Sequence, residues 1–148
     1  IMNNLNRERL MMAAGAIGAA RACLQDAAEW ARERETFGKR LVGHQVIRHK
    51  LVEMSRRIEA GQAYLERTAA RMQQGERCAA DIAMLKVDAT LTMEFCAREA
   101  SQVLGGASYI RGCRVERIYR EVRVNAIGGG SEEILRDLAA RQLGFDTA

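Results

Sequence analysis

The plainest periodic pattern in this chain lies in residues Leu41–Gln74, LVGHQVIRHKLVEMSRRIEAGQAYLERTAARMQQ. Apolar or small residues recur there three or four positions apart, at Ile47, Leu51, Met54, Ile58, Gly61, Leu65, Ala69 and Met72. This spacing puts them on one face of an α-helix, and Gly75 follows the run. At a rise of about 1.5 Å per residue the predicted helix is about 50 Å long, a length typical of helical bundles.

Helical patterns also precede and follow this run. The earlier one extends from about Leu5 to Glu33, with apolar positions at Leu10, Ala14, Ile17, Leu24, Ala28 and Ala31. The later one stops at Gly105-Gly106, with apolar positions at Ile82, Leu85, Ala89, Met93, Cys96, Ala100 and Val103. Two shorter helices are predicted over Val115–Val122 and after Ser131, a residue type favoured at an N-cap.

No segment alternates as a half-buried strand does. The predicted fold is therefore all-α, an up-and-down bundle of three long and two short helices forming one domain over residues 1–148. The longest predicted loops are Thr36–Gly43, Gly105–Gly112 and Asn125–Gly130.

The composition excludes several classes of protein. Of the 148 residues 48% are hydrophobic and 28% are charged, so the chain can bury a core and is not disordered. No apolar run approaches the roughly 18 residues of a membrane span. The net charge of +4 is spread over interleaved signs, as in Glu116–Glu121, which indicates solvated helix faces and disfavours a nucleic-acid surface.

The cysteines are too widely spaced for a zinc site or a disulfide framework, and neither His44 nor His49 lies near one of them. They are Cys23, Cys78, Cys96 and Cys113. Cys23 and Cys96 fall within helical apolar patterns, so we expect reduced core residues, no metal site and a reducing, intracellular compartment.

Four local features have both a structural and a functional interpretation. Gly128–Ser131 opens the last helix, so it is either a capped turn or an anion site of free backbone N–H groups. Gln102–Gly106 ends the third helix as a C-cap. Arg34–Lys39 ends the first helix and carries an aromatic ring that either covers the bundle end or stacks on a flat ligand. Glu8 lies near the start of the first helix, as a favourable dipole partner or as a general base.

Six motifs occur in order along the chain. They are Glu8-Arg9-Leu10 with Ala13–Gly15, Arg34–Lys39 with Gln45, Gln102–Gly106 with Tyr109, Glu116–Glu121, Ile127–Ile134 and Ala140–Gly144. In this register the chain resembles the C-terminal helical domain of the acyl-CoA dehydrogenase family from Leu5 to Phe145. Small departures are Ser131 where the family usually has Thr, Glu121 for a common Asp, and Gly128 for a frequent Tyr.

The resemblance implies FAD-dependent oxidation of an acyl-CoA thioester to trans-2-enoyl-CoA, in fatty acid or amino acid catabolism. A carboxylate removes the α-proton while the β-hydrogen leaves as hydride to FAD N5, and hydrogen bonds to the thioester carbonyl support the proton loss. By resemblance one of these bonds comes from the backbone N–H of Gly129.

The position of the base follows from the same resemblance. Many members carry the catalytic glutamate where Gly129 stands, whereas members like the isovaleryl-CoA and long-chain enzymes carry it on the first helix, at the position of Glu8. The resemblance therefore implies that Glu8 is the base, that Arg9 holds this region against the substrate, and that Gly128, Gly129 and Gly130 border it. The missing side chains at Gly128 and Gly129 are expected to widen the acyl pocket.

The resemblance also implies a flavin shared between subunits. The positions expected to contact the ADP half of a neighbouring subunit's flavin are Arg34, Phe37, Gln45, Gln102, Val103, Leu104, Gly105 and Gly106. Ser131, Glu132 and Glu133 are expected to meet the flavin of the chain's own site. A homodimer or homotetramer follows, with an electron-transferring flavoprotein as the electron acceptor.

The family's N-terminal helical domain and central β domain are not in this sequence, so we expect a fragment that is inactive alone. Bacterial cytoplasm and mitochondrial matrix are equally compatible with it. Three alternatives remain open at this point: an acyl-CoA oxidase, a flavin monooxygenase, and a non-catalytic helical module for assembly or nucleic-acid binding.

Overall fold

The computed structural model describes residues 2–146 and confirms an all-α bundle. Its five α-helices are α1 (Met2–Glu33), α2 (Gln45–Gln73), α3 (Ala79–Leu104), α4 (Arg114–Ile127) and α5 (Glu132–Leu143). Two 3₁₀ turns cover Leu41–Gly43 and Gly105–Tyr109. Within residues 2–146 no helix is long and apolar enough to cross a membrane, and no group of three or more metal-ligating side chains comes together.

The three long helices run up, down and up, so α1 and α3 end at the same end of the bundle. There the ammonium of Lys50, early in α2, pairs with the Glu99 carboxylate late in α3. Arg114, at the start of α4, pairs with Asp26 of α1 through an Nε–Oδ2 bond of 2.9 Å. We call this the hairpin end of the bundle, and it comprises residues 34–45 and 102–113. The opposite, glycine-loop end comprises residues 8–12, 86 and 126–133.

The most extensive packing joins α1 to α3 through small side chains. The buried hydrophobic positions of α1 are Ala13, Ala16, Ile17, Ala20, Cys23, Ala27 and Ala31. The sequence pattern had put Ala14 on this face, but Ala14 is exposed. Alanine occurs on both sides of α1, so the pattern located the buried face only approximately. On α3 the predicted stripe is buried along its whole length, and α2 buries Met54, Ile58 and Gly61.

The predicted absence of strands was wrong in one short loop. Residues Glu35–Thr36 pair with Lys39–Arg40 as an antiparallel hairpin whose turn carries Phe37 at φ 52° and Gly38 at φ 76°. The 3₁₀ turn over Leu41–Gly43 follows this hairpin, so α2 begins at Gln45 and not at the predicted Leu41. The Arg48 guanidinium stabilises this turn because it donates to the Gly43 carbonyl at 2.9 Å.

Helix α4 is longer than predicted, and the loop expected over Asn125–Gly130 is correspondingly shorter. The helix continues past Val122 to Ile127 because Val122 and Ala126 are both buried, four residues apart on one face. Arg123 and Val124, which lie between these two residues, are exposed, so the sequence pattern did not indicate that the helix continues. Helix α5 then packs on the first half of α3 through a small second cluster of Ala83, Val87, Leu135 and Ala139.

Two of the cysteines lie in the core, as predicted. Cys23 and Cys96 are free thiols with no exposed surface. Burial raises the pKa of each thiol to about 12, so both stay protonated in the folded protein.

Candidate active site

The loop between α4 and α5 has a backbone that requires glycine. Gly129 has φ +70° and Gly130 has φ +116°, in the region that side chains with a Cβ rarely adopt. A Cβ on Gly130 would also lie 3.2 Å from Leu135 Cδ2, tighter than normal contact. The run of glycines is therefore a requirement of the local fold as well as a candidate site.

Two buried cations hold this loop through its carbonyl oxygens. Arg9 Nε donates to the Gly129 oxygen at 2.8 Å. Lys86 Nζ donates to the Gly130 oxygen at 2.9 Å and to the Ala126 oxygen at 3.0 Å. Arg9 is 6% exposed and Lys86 is fully buried. Burial lowers the pKa of both side chains, while Glu132 nearby acts in the opposite direction on Lys86.

The two groups expected to act on a substrate have no hydrogen-bond partner in the part of the chain that the structure describes. Among residues 2–146, neither the Gly129 N–H nor the Glu8 carboxylate has a hydrogen-bond partner within the chain. Glu8 is exposed on α1, directly before Arg9 and four residues before Met12. Side chains four apart share one face of a helix, so Glu8 lies one turn from Met12, which contacts the glycine loop as Arg9 does.

The Met12 side chain bears on the expectation that Gly128 and Gly129 widen the acyl pocket. A Cβ at Gly128 would lie 3.1 Å from Met12 Cε, and a Cβ at Gly129 would lie 2.9 Å from Met12 Sδ. The space that the two glycines leave is therefore filled by a thioether of the same chain. The expectation that the missing side chains at Gly128 and Gly129 leave open space was therefore wrong, because Met12 fills that space.

The start of α5 follows the glycine loop. Ser131 occupies the predicted N-cap position, but its side chain makes no capping hydrogen bond to the helix. The backbone N–H of Glu133 and the Ser131 hydroxyl lower the pKa of the Glu133 carboxyl. Glu132 pairs with Arg136 at 3.0 Å. Ser131, Glu132 and Glu133 thus lie at the glycine-loop end, next to the carbonyls that Arg9 and Lys86 hold.

The other predicted cofactor residues lie at the hairpin end. Phe37 is 98% exposed at the tip of the hairpin, and Arg34 and Gln45 are exposed beside it in the chain. Gln102 and Gly105 line a cleft of about 530 Å³ between the end of α3 and α4. Its other walls are Ser101, Ser108, Tyr109, Glu116, Tyr119 and Arg120.

Two of the predicted cofactor residues differ from the rest of the motif. The Val103 and Leu104 side chains are 4% and 8% exposed and belong to the core. These two positions can offer a ligand their main-chain atoms only. Gly105 and Gly106 are exposed, and a Cβ on either would meet no atom within 4 Å, so a ligand can approach this part of the backbone closely.

The predicted site residues therefore form two groups far apart in one chain. Arg9 and the end of α1 at Glu33 are separated by about 35 Å of helix at 1.5 Å per residue. A single bound molecule near Glu8 cannot also reach Phe37 of the same chain unless it spans the length of the bundle.

Lys86 and Met12 are site residues that sequence reasoning missed. The sequence did carry one signal for Lys86, which is the only charged residue in the otherwise apolar run Ile82–Val87. A lysine in such a run indicates a buried ammonium with a specific partner. Met12 gave no distinct signal because a methionine at this spacing also fits an ordinary core position.

The chain matches the family model described as acyl-CoA dehydrogenase, C-terminal domain, over residues 1–144. It is 39% identical to acyl-CoA dehydrogenase AFT10-1 of Alternaria alternata, with 96% of this chain and 35% of that protein aligned. It is 34% identical to the caffeyl-CoA reductase-Etf complex subunit CarC of Acetobacterium woodii, with 90% of this chain and 35% of that protein aligned.

Among solved structures, a probable acyl-CoA dehydrogenase of Mycobacterium abscessus superposes with a TM-score of 0.95 at 40% identity. That superposition covers 97% of this chain and 38% of the mycobacterial chain. The chain thus spans little more than a third of the length of these proteins. With this bundle, this glycine loop and a family match along nearly its whole length, the chain belongs to the acyl-CoA dehydrogenase family.

Proposed function

We propose that the protein to which this chain belongs catalyses FAD-dependent α,β-dehydrogenation of an acyl-CoA thioester to trans-2-enoyl-CoA. The observation that carries this proposal is the hydrogen bond from Arg9 Nε to the Gly129 oxygen. It joins the turn of α1 that bears Glu8 to the loop that bears the Gly129 N–H, which has no partner among residues 2–146. A base and a carbonyl-binding donor are thereby held in one small region.

The chemistry divides between these two groups. The Gly129 N–H donates to the thioester oxygen, which stabilises the negative charge that develops there as the α-proton leaves. The Glu8 carboxylate takes that proton. When bound, FAD accepts the β-hydrogen as hydride, so the two C–H bonds are replaced by the α,β double bond. Arg9 and Lys86 keep the Gly129 N–H in position because they hold the neighbouring carbonyls.

The residues at the hairpin end fit a dinucleotide cofactor. Phe37 offers an exposed ring for stacking, and the cleft beside Gly105 offers amide and hydroxyl groups near an accessible backbone. Because these groups lie about 35 Å along α1 from Arg9, they serve the flavin of a second subunit. Ser131–Glu133 serve the flavin of their own chain, and the active protein is a homodimer or a tetramer of such dimers.

The proposed electron acceptor is an electron-transferring flavoprotein. The relative CarC supports this acceptor, since its name assigns it to a complex with Etf. An acyl-CoA oxidase of the same fold would instead reduce oxygen. Oxygen consumption on addition of acyl-CoA separates the two, because a dehydrogenase of this kind consumes little oxygen without its flavoprotein partner.

The experiment that tests the proposal compares Glu8→Gln with the parent in the natural full-length protein loaded with FAD. Acyl-CoAs of several chain lengths are added without oxygen, and the absorbance of the oxidised flavin is followed. We expect bleaching in the parent and none in Glu8→Gln, with FAD still bound.

Glu29→Gln is the matched control, since Glu29 is an exposed glutamate of the same helix near its other end. This variant should bleach as the parent does. Bleaching that survives Glu8→Gln would contradict the assignment of the base, and a parent that no acyl-CoA bleaches would contradict the activity.

A further inference from the structure

The Met12 side chain occupies the space beside Gly128 and Gly129 in the glycine loop. Met12 is half-buried, and its thioether lies within 3.1 Å of the position that a Cβ would take at Gly128 and within 2.9 Å of that at Gly129. The contact distances of 3.1 Å and 2.9 Å are too short for both groups to be present without movement. Either Met12 or the loop must move before another group can enter this space.

The loop is the part that cannot move easily. Arg9 and Lys86 hold the carbonyls of Gly129 and Gly130 at 2.8 Å and 2.9 Å. Leu135 blocks the far side of Gly130, and the Val124 oxygen lies 3.1 Å from a Cβ at Gly128. The Met12 thioether, by contrast, is the free end of an unbranched side chain with several rotatable bonds.

We propose that Met12 is a specificity-determining residue that limits branching of the acyl chain close to the thioester. This inference rests on the proposed function, in which the Gly129 N–H binds the thioester oxygen. Because Met12 touches position 129, it lies beside the first carbons of the acyl chain and not at its far end. A methyl branch there enters only when the thioether swings aside, whereas added length at the far end does not meet Met12.

The test uses the natural full-length holoenzyme and three substrates: butanoyl-CoA, 3-methylbutanoyl-CoA and octanoyl-CoA. We expect Met12→Ala to raise the kcat/KM ratio of 3-methylbutanoyl-CoA to butanoyl-CoA by about tenfold, the lower range for one methyl group in an apolar pocket. The ratio of octanoyl-CoA to butanoyl-CoA should stay within about twofold of the parent. Met12→Val removes less volume and should shift the first ratio in the same direction.

Met11→Ala is the matched control, because Met11 is the adjacent methionine and is 74% exposed. It should leave both ratios unchanged. Equal ratios in Met12→Ala, Met11→Ala and the parent would overturn the role of Met12 alone. A shift in the octanoyl-CoA ratio of the same size would overturn its restriction to branching.

A second measurement needs no substrate. Gly129→Ala should lower the urea midpoint of unfolding for two reasons: alanine is strained at φ +70°, and its Cβ would meet the Met12 thioether. The loss should be smaller when Met12 is already Ala, since the contact with the thioether is then removed. An equal loss in both backgrounds would show that the two positions do not share space. A parent that none of the three thioesters bleaches would overturn the proposed function and the specificity role with it, while this stability comparison still reports whether Met12 fills the space.

Discussion

Lys86 brings a charge into the fully buried face of α3, where its ammonium donates to the carbonyl oxygens of Ala126 and Gly130. Burying an ammonium costs free energy, and here charged hydrogen bonds to the end of α4 offset that cost. The ammonium also lies where the partial negative charge of the α4 C-terminus is concentrated. The lysine thus joins three segments: α3, the end of α4 and the glycine loop.

We expect Lys86→Met to destabilise the protein by about 1–3 kcal/mol, because it leaves buried carbonyl oxygens without a donor. It should also lower the rate of flavin bleaching by acyl-CoA, since the carbonyl of Gly130, the residue next to Gly129, is no longer held. Urea unfolding of the parent and variant holoenzymes measures the first effect. Lys39→Met is the control, because Lys39 is exposed in the hairpin and its replacement should change stability by less than about 0.5 kcal/mol. A Lys86→Met protein at least as stable as the parent would contradict this, because the desolvation cost of the ammonium would then equal or exceed what its hydrogen bonds contribute.

At the scale of elements, α1 and α3 are joined by an interface of small side chains. Ala16, Ala20 and Ala27 of α1 and Ala89, Ala97 and Ala100 of α3 are all buried, with almost no exposed surface. Small residues bring two helix backbones close together, which leaves little room for extra methyl groups. This interface should therefore tolerate enlargement poorly.

Ala20→Leu tests this packing, with Ala14→Leu as its control on the same helix. Overpacking at Ala20 should cost about 1–3 kcal/mol. Ala14 is exposed, so leucine there should leave stability within about 0.5 kcal/mol of the parent. Thermal or urea unfolding of both variants provides the comparison. Equal losses would indicate that the sequence pattern, which had put Ala14 on the buried face, located that face correctly.

The sequence predicted the helices well where large apolar residues alternate with charged ones, as Met54 and Ile58 do in α2. It located the buried face of α1 poorly because alanine fits inside and outside a helix equally well. The residues of the glycine loop indicated a capped turn or an anion site, and the family resemblance then made the loop a candidate active site. Of the two residues that hold this loop, Arg9 could be predicted because it belongs to a family motif. Lys86 was not predicted, because a lone lysine in a helix is usually a surface residue. The contact of Met12 with Gly129 depends on tertiary packing that no local pattern encodes.

At the scale of the whole molecule, the separation of the two site groups predicts how defects combine. In the proposed dimer, each active site takes Glu8 from one subunit and Phe37 from the other. A subunit with Glu8→Gln and a subunit with Phe37→Ala would then form a hybrid dimer with one intact site and one doubly defective site. The same pair of substitutions in a single-subunit site would leave no site intact.

Co-expression of the two variants in equal amounts tests this arrangement. Random pairing makes half of the dimers hybrid, so about a quarter of all sites should be intact and about a quarter of the parental activity should return. Each variant purified alone is the control and should show much less. Activity of the mixture no higher than the mean of the two variants alone would contradict a site shared between subunits.

The hairpin turn has a consequence for any attempt to engineer this protein. Phe37 is held at a positive φ, which is costly for a residue with a Cβ, and its almost fully exposed ring gains little from the folding of its own chain. Glycine at this position would relieve the backbone and lose only the ring. Selection for heat resistance in the absence of cofactor would therefore reward the removal of the aromatic group that we propose for flavin binding, so stability and flavin retention have to be selected together.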